Sequence, residues 1–297
     1  MSFLLRLKQT SVKFFSLFSV FVLLFTQLYY IFLPERDIYA KADNTVRIMS
    51  FNVLSARTGD NSMFNRKEIV AQTIAEYFPD SIGLQEATPQ WMLWLNTQLP
   101  EYDYVGVGRD NGRLKGEFSA IFYLKDKYKV VDSGTFWISE TPNVPSMGWD
   151  ADCMRICTWA VLENKTTGQQ YAHINTHLDY NGTLPRERGV AMILEKAASY
   201  NIPVVSTGDF NLREGSNFYK QLTGGVLFDT KFLAPDTMKN ATIHHFTLPT
   251  DPSSVIDYVL VNSKVTPLVY RVIIEGIDGK FVSDHYPLYT DVILNTD

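Results

Sequence analysis

The chain reads as an α/β sandwich: two β-sheets packed face to face, with helices on their outer sides. Three observations predict this. From Thr45 onward, short apolar segments of strand length are separated by turn residues. Helical patterns are few and intervene early and late, and no internal repeat occurs at solenoid spacing. The 297 residues are 45% hydrophobic and 13% aromatic, which suits one large folded domain once the N-terminal segment is set aside.

That N-terminal segment carries Arg6, Lys8 and Lys13, after which Phe14 to Leu33 is uncharged for twenty residues. Such a run can cross a hydrocarbon core as a helix, and the preceding positive charges hold the N-terminus in the cytoplasm. Ala40-Lys41-Ala42 has the small-x-small pattern of a signal-peptidase site, although the apolar run is long for a signal peptide. Residues 1–42 are therefore expected to be a cleaved signal or a retained membrane anchor. Residues 43–297 would form an extracytoplasmic domain, secreted or anchored, and monomeric.

Taking the five basic and two acidic side chains of residues 1–42 from the totals of 27 and 32 leaves 22 basic against 30 acidic. An acidic body argues against non-specific scanning of nucleic acid, which needs Lys and Arg on phosphates. It still admits a nuclease whose bound cation supplies local positive charge. Two cysteines, Cys153 and Cys157, exclude a disulfide framework and leave either one bridge or two free thiols.

In chain order, Val46 to Phe51 alternates as a strand and delivers Asn52 at its end. A helix follows over about Arg66 to Tyr77, with Ile69, Val70, Thr73, Ile74 and Tyr77 on one face and Pro79 as its stop. Ser81 to Leu84 is a short buried strand that runs into Gln85-Glu86. Thr88 and Pro89 then open a helix as N-cap and first residue, and Trp91, Trp94, Leu95 and Leu99 pack along it.

Strand character returns at Tyr102–Val107, Phe118–Leu124, Tyr128–Ile138 and Arg155–Leu162. Gly106, Gly108, Gly112 and Gly116 punctuate the loop between the first two, and because that loop opens no helix it is a weak phosphate cradle. A turn at Asn164–Gly168 leads into Tyr171–Asn175 and then Thr176-His177. A helix over about Pro185 to Tyr200 precedes the strand Pro203–Ser206, which ends in Gly208-Asp209-Phe210-Asn211. Val255–Val261 is a strand with Asp257 inside it, and Tyr286–Leu294 closes the chain.

Five strand ends thus share one feature, apolar residues running up to a group that binds metal or phosphate: Asn52, Gln85-Glu86, His177, Asp209 with Asn211, and Asp284-His285. Each alone reads more readily as a turn residue, a cap, a solvated acid or a core histidine, and it is the coincidence of five that favours a site. Sandwich loops gather at the sheet edges, so all five can meet in one pocket. Hard oxygens without thiolate suit Mg²⁺ or Mn²⁺, with Glu86 as first ligand and Asn52 and Asp284 near it. Asp209 would orient or deprotonate a water, and Asn211 would donate to a non-bridging phosphate oxygen. His177 and His285 need an orienting carboxylate, for which Asp257 and Glu117 are the candidates.

The motifs SFNVL (Asn52), GLQE (Glu86), INTHLD (His177), GDFN (Asp209, Asn211), IDYVLV (Asp257) and SDHYPL (Asp284, His285) together resemble the endonuclease/exonuclease/phosphatase superfamily, in its order and over residues 46–290. The resemblance implies a four-layer α/β sandwich, Glu86 on the metal, and Asp209 and Asn211 on water and phosphate. It places His177 and His285 on phosphate oxygens, Asp257 behind one histidine and Glu117 behind the other, and Arg155 on phosphate. Thr176-His177 stands where apurinic endonucleases carry a Tyr-bearing segment, which disfavours abasic-site cleavage. The expectation is an exported Mg²⁺-dependent phosphoester hydrolase, acting on diesters in preference to monoesters. Its substrate would be nucleic acid, a phospholipid head group or a small phosphoester. The alternatives are a phosphatase for sugar or inositol phosphates and a non-catalytic phospho-ligand domain, against which the presence of Glu86, Asp209 and His285 together counts.

Overall fold

The structure, a computed structural model, describes residues 40–248 and 251–295. The expectation for the apolar run 14–33 falls outside them, and among the described residues no helix is long and apolar enough to cross a membrane. The elements are β1 (Val46–Asn52), α1 (Met63–Tyr77), β2 (Ser81–Gln85), α2 (Pro89–Gln98), β3 (Tyr102–Val105), β4 (Ile121–Leu124), β5 (Tyr128–Trp137), β6 (Ile156–Asn164) and β7 (Gln170–His177). They continue with α3 (Thr183–Ala198), β8 (Val204–Asp209), α4 (Asn217–Thr223), β9 (Phe228–Asp229), α5 (Thr230–Leu233), β10 (Asp236–Thr237), β11 (Asp257–Val261), β12 (Val265–Val272) and β13 (Leu288–Leu294).

One sheet has the order β10-β12-β13-β1-β2-β4-β3 and the other β5-β6-β7-β8-β11-β9. Each is mostly antiparallel around a central parallel pair, β1 with β2 and β7 with β8. Parallel neighbours need a crossover, and α1 and α3 supply it. Helix α3 covers the outer face of the second sheet, where Val190, Ile193 and Ala197 join Ile174, Leu178, Phe210 and Tyr258 in one apolar cluster. Helix α1 lies on the first sheet through Tyr77, whose ring stands 5.5 Å from that of Tyr289. The result is a four-layer α/β sandwich. Because each sheet is covered on both faces, β1 is buried at all seven positions instead of alternating as its sequence implied.

Thr88 caps α2, accepting from Trp91 N at 3.4 Å with Pro89 at the first helical position. Helix α1 begins three residues earlier than its sequence pattern and ends at Phe78, which turns left-handed (φ 43°) just before Pro79. Strand β4 starts at Ile121, because Phe118 instead bridges to Ala87. Strand β12 is not evident in sequence: Pro267 interrupts its pattern and sits at a register shift against β13. Cys153 and Cys157 are both free thiols.

The facing sheets are sewn together by polar groups. Gln85 Nε2 donates to Asn175 Oδ1 at 2.8 Å, and Thr207 Oγ1 donates to the same oxygen at 3.0 Å. His173 bridges Thr207 Oγ1 (2.8 Å) and Ser81 Oγ (2.9 Å). The sheets come so close at Gly83 that an added Cβ would lie 1.9 Å from Thr207 Oγ1 and 2.4 Å from Asn175 Oδ1. Buried amides and hydroxyls cost free energy unless paired, so this layer fixes the register of one sheet on the other. It thereby aligns the strand ends that carry the site.

Candidate active site

Strand register brings the site together. On the second sheet Asp209, the last residue of β8, is opposite His177 of β7 on one side and Asp257 of β11 on the other. On the first, Asn52 is opposite Gln85, so Glu86 follows directly at the same edge. Asn52 joins the two edges: its Nδ2 donates to Glu86 Oε1 at 3.1 Å and to Asp209 Oδ2 at 3.0 Å. His177 Nε2 is 3.4 Å and His285 Nε2 3.8 Å from that same Asp209 oxygen. Five sequence-predicted residues therefore meet around one carboxylate, Asn52 hydrogen-bonded to it and the two imidazoles within 4 Å of it.

The backbone is bent to achieve this. Leu54 (φ 57°), Glu86 (φ 58°) and Asn211 (φ 51°) all take the left-handed region that non-glycine residues avoid. Each is held by an adjacent bond. Asn52 Oδ1 accepts from Leu54 N (3.0 Å), Glu86 Oε2 from Ser55 N (2.8 Å) and Asp209 Oδ1 from Asn211 N (3.0 Å).

His285 donates from Nδ1 to Asp257 Oδ2 at 2.9 Å, leaving Nε2 turned toward Asp209. Asp257 opens β11 instead of lying within it, because Thr242 Oγ1 takes the N–H groups of Ile256 and Asp257. Burial works against the imidazolium, but the charges of Asp257, Asp209 and Asp284 outweigh it and raise the pKa of His285 to about 10. His177 is the opposite case. Burial, together with Arg155, His285 and Arg109, drives its pKa well below 6.5, so it is neutral. Two histidines thus face one site as a cation and a neutral donor. Asp209 is pushed well above the usual carboxylate range, first by burial and then by the charge of Asp257.

Glu117 does not support His177. Its carboxylate pairs with Arg109 Nη1 at 2.8 Å, while His177 Nδ1 is buried without a hydrogen-bond partner. Burial, only partly offset by Arg109, raises the Glu117 pKa. Arg155 is buried with Nε 3.7 Å from Asp179 Oδ2 and no hydrogen bond from that nitrogen. Glu86, Arg109, Glu117, Arg155 and His177 line one narrow cleft. Asn211 gives its Nδ2 to Leu178 O (3.0 Å), and Asp284 accepts from Ser283 Oγ (3.2 Å).

Sequence reasoning missed three supporting residues. Asp179 takes N–H groups from Asn181 and Gly182 and faces Arg155; its spacing two residues after His177 was the available signal. Arg66, buried in α1, donates to the carbonyls of Asn61, Val53, Leu54 and Val282, tying the loop after Asn52 to the segment before Asp284. Arg109 left no trace beyond the glycines around it.

The donor set fits a hard divalent cation. Burial disfavours the charge of Glu86, but hydrogen bonds from Ser55 and Asn52 prevail and hold its pKa below the usual value, so it is an anion with lone pairs free. Asp209, Asp257 and His285 can also bring one ligand atom each within 4.8 Å of one another, but His285 Nδ1 is already given to Asp257. No thiolate belongs to either set, which excludes a soft-metal site of the zinc-finger kind.

A buried carboxylate between two imidazoles, beside an ionised glutamate and at the open edge of a four-layer sandwich, defines a phosphoester-hydrolase site. A family model described as the endonuclease/exonuclease/phosphatase family matches residues 49–285, and the chain belongs to that family, whose members are phosphoester hydrolases. It is similar to an endonuclease/exonuclease/phosphatase from Bacteroides vulgatus, with 36% identity, a TM-score of 0.81, and 84% of this chain and 99% of that one covered. It is also similar to a mannosyl-6-phosphatase of Bacteroides thetaiotaomicron, with 32% identity, a TM-score of 0.80, and 84% and 99% covered. The CCR4-Not complex 3'-5'-exoribonuclease subunit Ccr4 of Phaeosphaeria nodorum is 26% identical over 183 residues, 50% of this chain and 31% of its own length. The chain thus spans about a third of that relative.

Proposed function

We propose that this protein is an extracytoplasmic Mg²⁺-dependent phosphomonoesterase acting on phosphorylated sugars. The observation that carries the reading is Asn52 bridging Glu86 and Asp209, with His177 and His285 on the same Asp209 oxygen. The monoester preference draws support from similarity to a mannosyl-6-phosphatase across nearly all of that enzyme. The acidic composition of the chain also counts against a nucleic-acid scanner, which neutralises phosphates with Lys and Arg. Location outside the cytoplasm rests on the charge and length of residues 1–33.

Mg²⁺, when bound at Glu86 with Asp284 and the Asn52 amide nearby, would supply Lewis-acid charge to the phosphoryl oxygens. The chain's own residues do the rest. Asp209, whose raised pKa suits a general base, would accept a proton from the attacking water. The His285 imidazolium, locked by Asp257, and the neutral Nε2–H of His177 would stabilise charge that grows on non-bridging oxygens. Arg155 would hold a further oxygen.

The test is a panel assayed with Mg²⁺: mannose 6-phosphate and glucose 6-phosphate, p-nitrophenyl phosphate, bis-p-nitrophenyl phosphate and a DNA oligonucleotide. The reading expects kcat/KM to be highest for the sugar phosphates. Preferential turnover of the diester or the DNA would replace it with the phosphodiesterase reading expected from sequence.

A further inference from the structure

Asp257 is the first residue of β11 and His285 lies just ahead of β13, so the sheet ladders end where this pair has to be held. Strand β9 pairs with β11 only at Leu260 and Val261, which leaves Asp257 without a strand on that side. A third segment takes its place. Thr242 is fully buried, and its N–H, carbonyl and hydroxyl each bond one of the two segments that carry the pair. Its Oγ1 accepts from Ile256 N at 3.1 Å and Asp257 N at 3.2 Å, and its N–H donates to Ser254 O at 2.9 Å. Its carbonyl accepts from Tyr286 N, the amide that follows His285, at 2.7 Å.

The residues after Thr242 extend the same attachment. Ile243 pairs with His285 in an isolated antiparallel bridge, and the N–H groups of His244 and His245 converge on Asp284 O at 2.9 and 3.1 Å. The chain then runs through the left-handed region at two consecutive non-glycine residues, His245 (φ 51°) and Phe246 (φ 59°). Such a turn persists only where its surroundings over-determine it. Here Phe246 N donates to His244 Nδ1 at 3.1 Å, Thr247 Oγ1 donates to His244 O at 2.8 Å, and the His244 ring packs between Phe281 and Tyr286 with centroids 4.3 and 4.1 Å away. A plain connection between strands needs neither a buried hydroxyl nor a strained turn. Both are directed at the backbone around Asp257 and around Asp284-His285.

We propose that Thr242 is a positioning residue for the Asp257–His285 pair, its hydroxyl and carbonyl joining the two segments so that His285 Nε2 stays on Asp209. The role rests on the reading of that pair given above.

The experiment measures kcat and KM in Mg²⁺ on p-nitrophenyl phosphate and bis-p-nitrophenyl phosphate, each enzyme assayed well below its Tm. The enzymes are wild type, Thr242→Val, Thr242→Ser, Asp257→Asn and the double variant carrying Thr242→Val and Asp257→Asn. Thr242→Val keeps the shape and loses the hydroxyl, so kcat is expected to fall by about 10–100-fold with KM within about threefold, the scale of a misplaced catalytic group. Thr242→Ser keeps the hydroxyl and should restore kcat to within about fivefold of wild type. In the Asp257→Asn background the Thr242→Val change should cost less than about threefold, because a residue that acts through the pair then has nothing to act on. A residue that only stabilises the fold would lower Tm and cost the same factor of kcat in both backgrounds.

Equal losses in the two backgrounds, Thr242→Val as fast as wild type, or a folded Thr242→Ser as slow as Thr242→Val would each overturn the assignment. Thr242→Ala stands in if Thr242→Val does not fold. Failure of both to fold while Thr242→Ser folds would assign Thr242 to stability and overturn it as well. Asp257→Asn as active as wild type refutes the reading of the pair itself, a different outcome.

Discussion

His285 and Asp257 are joined by a 2.9 Å hydrogen bond from Nδ1 to Oδ2, both side chains buried, with the other imidazole nitrogen directed at Asp209. This bond fixes the tautomer and holds the ring charged against burial. Asp257→Asn removes the charge but keeps the shape. We expect kcat to fall by about 10²–10⁴-fold, the range seen when an orienting carboxylate is neutralised. The sign of the pH effect follows. With its pKa lowered toward 6.5, His285 loses its proton at lower pH, so the alkaline limb of the rate profile moves to lower pH in the variant. A pH series of initial rates on p-nitrophenyl phosphate checks both.

Asp209 lies among Asp257, Glu86 and burial, all of which raise its pKa. For an acid whose folded pKa exceeds its unfolded value, the folded state holds a proton that the unfolded state has released, so stability falls as pH rises through that interval. At neutral pH the ionised side chain is a burden on the fold. Asp209→Asn is therefore expected to abolish turnover, by about 10³-fold or more, while raising Tm by a few degrees in EDTA. Calorimetry and rate measurement on the same preparation separate the two effects.

Glu86 is the anion best prepared for a cation, fixed by Ser55 N at 2.8 Å and Asn52 Nδ2 at 3.1 Å. EDTA should remove activity and Mg²⁺ restore it. Glu86→Gln should raise the Mg²⁺ concentration for half-maximal rate by about tenfold or more, consistent with losing one charged ligand. A metal titration of the rate tests this, and Mn²⁺ binding followed by electron paramagnetic resonance tests it without turnover.

His173, between Ser81 and Thr207 in the sheet interface, has its pKa lowered by burial to about 3. It is neutral when folded, whereas in the unfolded chain it takes up a proton near pH 6.5. The unfolded state binds more protons between these values, so stability is lost as pH falls from 6.5 toward 3. His173→Asn should be less stable at pH 7 by about 1–3 kcal/mol, yet show a flatter stability curve between pH 7 and 4.5. Urea unfolding at a series of pH values reads both.

Gly83 marks the closest approach of the sheets. Gly83→Ala forces a methyl group against Thr207 and Asn175 and should cost about 3 kcal/mol or more, read as a lower urea midpoint.

Much of this was legible in sequence because the chemistry sits at the ends of short apolar segments. Asn52, His177 and Asp209 close β1, β7 and β8, Glu86 follows β2, and Asp284-His285, expected at a strand end, instead lie in the loop before β13. The two sheets and outer helices followed from the same segments. What could not be read depends on contacts between segments far apart. Glu117 looks like any acid beside a glycine until Arg109 is seen eight residues away across a closed turn. Gly83 looks like a strand residue of low propensity until Thr207 is found against it. Arg66 occupies a helix position whose pattern asks for an apolar residue, and only the carbonyls of Val53, Leu54 and Val282 explain its burial. Strand β12 was hidden by Pro267, whose missing N–H is accommodated at a bulge.

The central claim is that one carboxylate, Asp209, and one glutamate, Glu86, joined through Asn52, drive metal-assisted hydrolysis of a phosphate ester. Phosphate release from mannose 6-phosphate in Mg²⁺, by wild type, Glu86→Gln and Asp209→Asn side by side, tests it most directly. The expected result is turnover by wild type that EDTA abolishes and that falls by at least about 10²-fold in each folded variant. Release that persists in EDTA, or variants as fast as wild type, would contradict the account.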